Sequence, residues 1–431
     1  MNDAKPAGAP GQAARLGAVA LVAGVLSGGS LLSDLLQARD GPLSNLPPQG
    51  KARAQSLAEN VLRHLGRIDT ILDQFLDKSP PDRVLNILRV AAAELLVDGI
   101  APHAVVDGAV RMAKAGKKTG HLSGLVNAVA RKVALEGPQI WADLEPQTLP
   151  DWLRAPMLAA FGAAATLDIE AAHERGAKLD LTLRESTQAD HWAAALVQAG
   201  QEVTILPTGS LRLNKPGQIS ALPGYSEGAW WVQDAAAAIP ARMLGDVRGL
   251  NVLDLCAAPG GKTMQLAAFG ADVTALDVSK NRLKRLEDNL TRTKLGAKVI
   301  AADAVRWQAP EKYDAILLDA PCSASGTIRR HPDMPFVKDR TDLAELRKLQ
   351  SILLDRALGW LKPGGKLIYC TCSLLPEEGE AQVRGHALTP IDAGQFGLRP
   401  EWVTNNQLRL RPDYWPDLGG MDGFFAAIVS P

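Results

Sequence analysis

Apolar residues in the first third of the chain recur every three or four positions, which is the spacing of one face of an α-helix. The clearest run extends from Val61 to Leu76 and stops at the pair Pro80-Pro81. The same spacing predicts further helices over residues 84–97, 105–115 and 122–135. We therefore expect an all-helical domain over residues 13–140.

The two ends of this helical region differ in composition. Residues 1–12 are rich in Ala, Gly and Pro, so we expect a disordered tail there. Leu16–Gly28 is apolar and follows Arg15, as in a signal peptide, but it has no clear cleavage site. It is also shorter than the roughly 20 residues that a membrane span requires. We expect a buried first helix and no membrane association.

The pattern changes after the helical region, where the prolines between residues 137 and 150 predict a linker. Leu179–Leu183 and Val203–Leu206 have the composition of short strands, and residues 188–198 form a helical pattern between them. These features predict a small α/β subdomain over residues 145–240. An apolar helix is predicted over residues 235–244, across the C-terminal boundary of this subdomain.

From residue 241 to 431, short apolar runs alternate with helical patterns. A helix is predicted over residues 281–293 with Ser279 as its cap, and another over 342–361 with Thr341 as its cap. Alternation of this kind is typical of a doubly wound, mostly parallel sheet in an α/β fold. The predicted strands are 250–255, 272–276, 298–301, 313–318 and 366–370.

The turn after the first of these strands is the most informative stretch. The sequence Leu250–Thr263 contains a buried strand, then Pro259, Gly260 and Gly261, and then a helix start. Glycine permits sharp turns and close approach of the backbone to a ligand, and nucleotides bind at such crevices in α/β sheets. The adjacent glycines lack the Gly-x-Gly-x-x-Gly spacing of dinucleotide sites, which disfavours a nicotinamide-dependent enzyme.

Three aspartates follow the ends of successive predicted strands, namely Asp277, Asp303 and Asp319. The carboxyl ends of parallel strands meet at one edge of a sheet, so these carboxylates are expected to line the crevice beside the glycine turn. Asp277 follows the glycine turn by roughly 20 positions in the sequence. A carboxylate at that position can accept hydrogen bonds from the two hydroxyls of a ribose. The alternative role for each aspartate is that of a helix cap or turn residue.

The charge balance and the cysteines limit the kinds of partner, compartment and metal site that the chain can have. The chain has 47 basic and 47 acidic residues, so only local clusters can bind nucleic acid. Its four cysteines, Cys256, Cys322, Cys370 and Cys372, form no disulfide framework, which indicates a reducing, cytoplasmic compartment. They lack the Cys-x-x-Cys pairs of zinc sites, and we expect no metal. Cys322 and Cys372 both follow strand ends, where a thiol can become a nucleophile.

These motifs together resemble the RNA 5-methylcytosine methyltransferases of the NOL/NOP2/Sun family. The resemblance lies in residues 254–263, in Asp319–Gly326, in Arg329–Asp333 and in Tyr369–Ser373. The helical region resembles a NusB-like RNA-binding domain through residues 101–110 and 124–129. The resemblance implies a Rossmann-like class I methyltransferase domain over residues 241–431, preceded by an all-α NusB-like domain and a small α/β segment.

The resemblance also implies a cofactor, a substrate and residue roles. S-adenosylmethionine would donate a methyl group to carbon 5 of a cytosine in small-subunit (16S) ribosomal RNA, and we expect a monomeric enzyme. Asp277 would bind the ribose, Asp303 would lie near the adenine, and Asp319 would reach both the donor and the target base. Cys372 would attack carbon 6 of the base and Cys322 would assist product release. The methionine end of the donor would be held by Cys256, Ala257, Ala258, Pro259, Gly260, Gly261 and Lys262.

Arg329, Arg330 and His331 follow Cys322 closely, and we expect them to hold RNA phosphates or to stack on bases. The alternative for these three residues is a solvated loop. Two other functions remain open from the sequence, a transfer RNA cytosine-5 methyltransferase and a non-catalytic RNA-binding or antitermination-like factor. Retention of both Cys322 and Cys372 favours an enzyme over the binding factor.

Overall fold

The computed structural model describes residues 11–214 and 216–430. These residues form two compact units, one of residues 11–154 with 330–339 and one of residues 155–329 with 340–430. The tail expected to be disordered lies outside the described residues up to position 10, and Gln12 already begins the first helix. The segment 330–339 belongs to the first unit although it is far from the rest of that unit in sequence.

The first unit is helical. Its core is built from aliphatic residues of several helices, for example Leu21, Leu57, Ile87 and Val129, and Phe336 packs against this core from the segment 330–339. The helices are α1 (Gln12–Leu26), α2 (Leu32–Gln37), α3 (Pro48–Arg63), α4 (Leu65–Asp73), α5 (Asp82–Leu96), α6 (Pro102–Ala115), α7 (Ser123–Asp143) and α13 (Met334–Val337). No helix among the described residues is long and apolar enough to cross a membrane.

Two sequence predictions for this unit were wrong in detail. The apolar run from Val61 to Leu76 is divided between α3 and α4, because His64 leaves the helical region with φ −121° and ψ 21°. The buried face continues across this break, which explains why the spacing alone did not reveal it. The linker expected after residue 136 begins later, since α7 continues through Pro138 to Asp143.

The second unit contains a small antiparallel sheet in the order β2-β3-β1-β4. The predicted strand at Leu179–Leu183 is confirmed, and Val203–Ile205 and the helix over residues 189–198 match the expected small α/β segment. Helix α8 precedes the sheet and is interrupted at Gly162, whose φ is 80°. The elements are α8 (Asp151–Arg175), β1 (Leu179–Leu183), α9 (Ala189–Gln198), β2 (Val203–Ile205), β3 (Leu211–Leu213), β4 (Trp230–Val232) and α10 (Ile239–Met243).

The apolar helix predicted over residues 235–244 is shorter than expected. The carboxylate of Asp234 accepts the N–H of Ala236, and Asp180 accepts the N–H of Ala235. These contacts hold the chain in a turn, so α10 begins only at Ile239.

The large sheet of the second unit has the order β11-β12-β13-β9-β8-β5-β6-β7, with β10 paired to β13. The predicted parallel strands are confirmed, and β9, β8, β5, β6 and β7 run parallel to one another. The remaining elements are β5 (Asn251–Leu255), α11 (Gly261–Ala268), β6 (Asp272–Asp277), α12 (Lys280–Thr293), β7 (Lys298–Ala301), β8 (Tyr313–Asp319), α14 (Arg340–Gly359), β9 (Leu361–Thr371), β10 (Ala387–Thr389), β11 (Val403–Thr404), β12 (Gln407–Leu410) and β13 (Phe424–Ser430).

Side chains alternate between the two faces of this sheet, and both faces are covered. Val252 and Leu317 belong to one core, whereas Leu253 and Ile316 belong to the other. Because both faces are buried, the parallel strands have continuous apolar runs in the sequence. The strand order changes direction between β5 and β8, so a crevice opens at their carboxyl ends.

The ends of the elements around this sheet differ little from the predictions. The hydroxyl oxygen of Ser279 accepts the N–H of Arg282 and caps α12, as expected. Thr341 does not precede α14, because that helix already begins at Arg340. The antiparallel strands at the C-terminal side of the sheet were not among the predicted strands.

Candidate active site

The glycine turn lies between the end of β5 and the start of α11. Gly260 has φ 104°, a backbone conformation that residues with a Cβ rarely adopt. A Cβ on Gly260 would lie 2.8 Å from Leu286 Cγ, and one on Gly261 would lie 3.3 Å from Gln233 Cδ. The absence of a Cβ at both positions is therefore required by packing inside the protein.

The three aspartates lie where the sequence places them, at the ends of neighbouring parallel strands. Asp277 is the last residue of β6 and Asp319 is the last residue of β8, while Asp303 follows β7. Asp277 is buried, and its carboxylate accepts the N–H of Ala258 at 3.2 Å and that of Ser279 at 2.8 Å. Asp277 thus ties the glycine turn to the next strand.

Asp303 and Asp319 are more open than Asp277. The Asp303 side chain is 46% exposed and accepts the N–H of Val305 at 2.9 Å. The Asp319 side chain is 32% exposed and receives the ammonium of Lys262 at 2.8 Å. Both carboxylates remain accessible to a molecule in the crevice.

The two cysteines predicted to act together do meet. Cys322 follows β8 and Cys372 follows β9, and their Sγ atoms lie 3.5 Å apart. The N–H of Gly326 donates to the carbonyl of Cys372 at 2.9 Å, which joins the two loops through the backbone as well. Both thiols are free and partly accessible. The pair is a candidate reactive centre at the same sheet edge as the aspartates.

The surroundings of the site shift the pKa values of Cys322 and Lys262. The hydrogen bond to Cys372, and then burial, raise the pKa of Cys322 well above its usual range. Cys322 therefore keeps its proton and can donate it toward the Cys372 sulfur. Burial by itself lowers the pKa of Lys262, but Asp319 and the nearby Cys370 and Cys372 sulfurs outweigh it, so the net pKa is raised.

The other two cysteines are not reactive. Burial raises the pKa of the Cys256 thiol and of the Cys370 thiol far above the usual range, so both stay protonated. Cys370 is fully buried in β9 with its Sγ 3.7 Å from an oxygen of Asp319. Cys370 is therefore a packing residue of β9.

Asp254 and Glu378 are buried acids that the sequence analysis did not select. Asp254 lies in β5 beneath the turn and receives the hydroxyl of Thr263 at 2.6 Å. Burial raises the pKa of Asp254 to about 7. Glu378 is completely buried between the loops of the two cysteines, where it binds Ser323 and Ser373. No sequence pattern marked Glu378, since it stands in an acidic run, Glu377–Glu380, typical of a solvated face.

The residues expected to contact RNA are separated by the structure. Arg329 is 1% exposed, donates to the carbonyls of Gly176 and Gly419, and faces the carboxylate of Asp422 at 3.6 Å. This burial contradicts an RNA contact by Arg329, since its guanidinium is held inside the second unit. Arg330 is half-buried and His331 is exposed, and both belong to the first unit.

The elements around the crevice offer both hydrogen-bond donors and hydrogen-bond acceptors to a ligand. The first three N–H groups of a helix have no acceptor within the helix, so the start of α11 can bind a carboxylate. The open carboxylate of Asp303 can accept hydrogen bonds from a base. No group of three or more His, Cys, Asp or Glu suited to a metal ion occurs in residues 11–214 and 216–430.

Comparison with known proteins agrees with both parts of the fold. The family described as 16S rRNA methyltransferase RsmB/F matches residues 241–430, and the NusB family matches residues 12–135. The chain is 35% identical over 383 residues to ribosomal RNA small subunit methyltransferase B of Cronobacter sakazakii, which covers 86% of this chain and 88% of that protein. The Salmonella arizonae protein of the same name is 37% identical over 377 residues, with 81% and 87% covered.

Solved structures show the same fold. PH0851 superposes with a TM-score of 0.74 at 22% identity, covering 99% of this chain and all of that one. NSun6 from Pyrococcus horikoshii, solved with SFG, has a TM-score of 0.56 at 20% identity and covers 65% of this chain and 97% of its own. The predicted fold class, a helical NusB-like part followed by a Rossmann-like methyltransferase domain, is confirmed.

Proposed function

Since the chain belongs to the 16S rRNA methyltransferase RsmB/F family, we propose that it methylates carbon 5 of a cytosine in small-subunit ribosomal RNA. S-adenosylmethionine, the methyl donor of this family, supplies an electrophilic methyl group. The observation that carries the proposal is the 3.5 Å separation of the Cys322 and Cys372 sulfurs beside Asp319 and the glycine turn. A thiol nucleophile can add covalently to a pyrimidine, and a second thiol beside it can assist the reverse step.

The chemistry assigned to Cys372 follows from the poor reactivity of carbon 5. The Cys372 thiolate adds to carbon 6 of the cytosine, and the electron pair of the 5,6 double bond makes carbon 5 an enamine-like nucleophile. Carbon 5 would then bond to the methyl group while the bond between the methyl and the donor sulfur breaks, which would release S-adenosylhomocysteine. After methylation the proton on carbon 5 leaves to a base, the bond between sulfur and carbon 6 breaks, and Cys372 returns as a thiolate. Cys322 lies in contact with that sulfur and can assist this release.

Asp319 is assigned to the target base as a hydrogen-bond acceptor. At 2.8 Å from the Lys262 ammonium, Asp319 is half of an ion pair, which is the arrangement of a carboxylate. In the proposal it accepts a hydrogen bond from the exocyclic amino group of the base and so orients the ring.

The donor and the RNA are assigned to further residues by the same proposal. The turn from Cys256 to Lys262 holds the methionine end of the donor, Asp277 its ribose and Asp303 its adenine. The target base leaves its stack to reach the thiols, and Arg330 and His331 contact the flanking RNA. We propose that the enzyme acts as a cytoplasmic monomer.

Methyl transfer by a Cys372 variant tests the proposed function. Purified wild-type protein is incubated with 16S ribosomal RNA and methyl-labelled S-adenosylmethionine, beside Cys372→Ala and the matched control Cys370→Ala. We expect label in the RNA with the wild type and the control, and a loss of at least about 1,000-fold with Cys372→Ala. Bisulfite sequencing then identifies the modified cytosine. Equal transfer by Cys372→Ala, or label accepted only by transfer RNA, contradicts the proposal.

A further inference from the structure

Glu378 is a buried carboxylate that lies between the loops carrying the two cysteines and has no exposed surface. Its Oε1 accepts the backbone N–H of Ser323 at 2.8 Å and the side-chain amide of Gln350 at 3.1 Å. Its Oε2 accepts the hydroxyls of Ser323 at 2.5 Å and Ser373 at 2.6 Å. Ser323 directly follows Cys322 and Ser373 directly follows Cys372. One carboxylate is therefore bonded to the neighbour of each cysteine.

The backbone of Glu378 is fixed to the strand that delivers Cys372. Its carbonyl accepts the hydroxyl of Tyr369 at 2.9 Å and that of Thr371 at 3.3 Å. Both of these residues lie in β9, which ends immediately before Cys372. The position of the carboxylate is thus set relative to one of the two thiols.

The loop of Cys322 is fixed from its other side by α14. The side-chain amide of Gln350 donates to the carbonyl of Pro321 at 2.8 Å as well as to Glu378. The residues before and after Cys322 are therefore both held by the group that centres on Glu378. The hydroxyls of Ser323 and Ser373 also lie 3.3 Å from each other.

The Glu378 carboxylate depends on its hydrogen-bond donors, because no cation that the structure describes is paired with it. Within the described part of the chain, Glu378 forms no ion pair with a lysine or arginine. A buried carboxylate without a cation is costly unless hydrogen bonds replace its lost water. All four donors must therefore keep their positions relative to the Glu378 carboxylate. A shift of either cysteine loop would break at least one of these hydrogen bonds.

We propose that Glu378 is a positioning residue that holds Cys322 and Cys372 at contact distance by bonding to Ser323 and Ser373. The inference rests on the proposed function for its effect on catalysis, because it assigns the residue that aligns the two reacting thiols. Both sulfurs must act on one pyrimidine ring, and a displacement of about 1 Å in such a site reduces the rate about 100-fold. Glu378 touches neither the base nor the donor and acts only through the two loops.

Kinetics of Glu378→Gln test this role. Glutamine keeps the size of the side chain but replaces one acceptor oxygen with an N–H donor. We expect kcat to fall about 100-fold, while KM for ribosomal RNA and for S-adenosylmethionine stays the same. The matched control is Glu377→Gln, which alters the adjacent acid that does not bind the serines, and it keeps the wild-type kcat. A wild-type kcat in Glu378→Gln overturns the proposal.

A second measurement reports the distance between the thiols without RNA or methyl donor. Dibromobimane becomes fluorescent only when it joins two neighbouring thiols, and Cys322→Ala gives the background signal. We expect cross-linking in Glu378→Gln to be several-fold slower than in the wild type and in Glu377→Gln. Cross-linking at the wild-type rate overturns the positioning role, even if kcat falls. If the wild type methylates no RNA, the proposed function fails while this comparison still decides the role of Glu378.

The variant Ser373→Ala covers the case in which Glu378→Gln does not fold. It removes one hydrogen bond to a charged group, a loss of about 10-fold in kcat, and leaves the other three bonds in place. Cross-linking should slow in this variant as well. Unchanged kcat and cross-linking in Ser373→Ala contradict the proposal independently of Glu378→Gln.

Discussion

At the scale of single residues, Asp254 is the group whose ionisation is most clearly coupled to folding. It is fully buried, its Oδ1 makes no hydrogen bond among the described residues, and burial raises its pKa to about 7. Because the pKa is higher in the folded than in the unfolded chain, the stabilising effect is complete below the unfolded pKa. It is lost as the pH rises through the folded pKa.

The variant Asp254→Asn tests this coupling. The free energy of unfolding of the wild type should fall relative to the variant by about 4 kcal/mol between pH 4 and pH 7, since each pKa unit corresponds to about 1.4 kcal/mol. Urea unfolding of both proteins over this range measures the difference. Parallel curves for the two proteins would show that Asp254 titrates normally in the folded state.

The residues of the reactive centre could be predicted from sequence to different extents. Cys322, Cys372 and Asp319 were identifiable because each follows a strand end, and parallel strands bring such ends together. Glu378 was not identifiable, since its partner Ser323 is 55 positions away and no local pattern links them. Arg329 was misassigned because a basic residue after a catalytic motif suggests RNA binding, whereas its burial depends on Gly419 and Asp422.

At the scale of elements, the glycine turn depends on two separate constraints at Gly260. Its φ of 104° disfavours any residue with a Cβ, and that Cβ would also lie 2.8 Å from Leu286 of α12. The turn therefore joins β5 to α11 while packing against a third element.

Substitution by alanine separates these two constraints. Gly260→Ala should reduce the free energy of unfolding by about 3 kcal/mol, of which about 1 to 2 kcal/mol comes from the backbone conformation. Gly245→Ala is the matched control, because Gly245 has φ 81° and open space around it, so only the backbone cost applies. Equal losses for the two variants in urea unfolding would refute a steric constraint from Leu286.

Elements with a strong local signal were predicted well. The parallel strands were recovered because both of their faces are buried, which produces continuous apolar runs. The helix expected over residues 235–244 was too long. The N–H of Ala235 donates to the distant Asp180, and Asp234 forms a local turn with Ala236. The break at His64 escaped detection since the apolar spacing continues across it.

At the scale of the whole molecule, a buried arginine of the small sheet also bonds to the C-terminal part of the second unit. Arg212 of β3 is 2% exposed and forms two hydrogen bonds of 2.6 Å to the carboxylate of Asp180 in β1. The same guanidinium donates to the carbonyls of Leu418 and Gly420, near the start of β13. The small sheet is thereby joined to the C-terminal part of the methyltransferase domain.

Removal of one partner should be more damaging than removal of both. Arg212→Met leaves the Asp180 carboxylate buried without a cation, which should cost about 3 to 5 kcal/mol in the free energy of unfolding. The double variant Arg212→Met with Asp180→Leu should recover part of that loss. Thermal and urea unfolding measure both, and a single variant as stable as the wild type would contradict a structural role for the pair.

The domain order followed from the sequence, but the arrangement of distant segments did not. Changes of period along the chain separate helical, mixed and alternating regions. Nothing in the sequence indicates that residues 330–339 join the helical unit, where Phe336 packs on its core and Asp333 accepts the N–H of Leu32 at 2.8 Å. Contacts of this kind depend on the folded surfaces of elements that are hundreds of residues away.

Covalent trapping of RNA tests the central claim, that Cys372 bonds to the target cytosine while Cys322 assists release. Purified Cys322→Ala protein is mixed with 16S ribosomal RNA and S-adenosylmethionine, denatured, and analysed by gel electrophoresis for a protein band that carries RNA. We expect a stable adduct with Cys322→Ala and none with the double variant Cys322→Ala, Cys372→Ala. An adduct that persists without Cys372 would contradict the account, as would methyl transfer by Cys372→Ala at the wild-type rate.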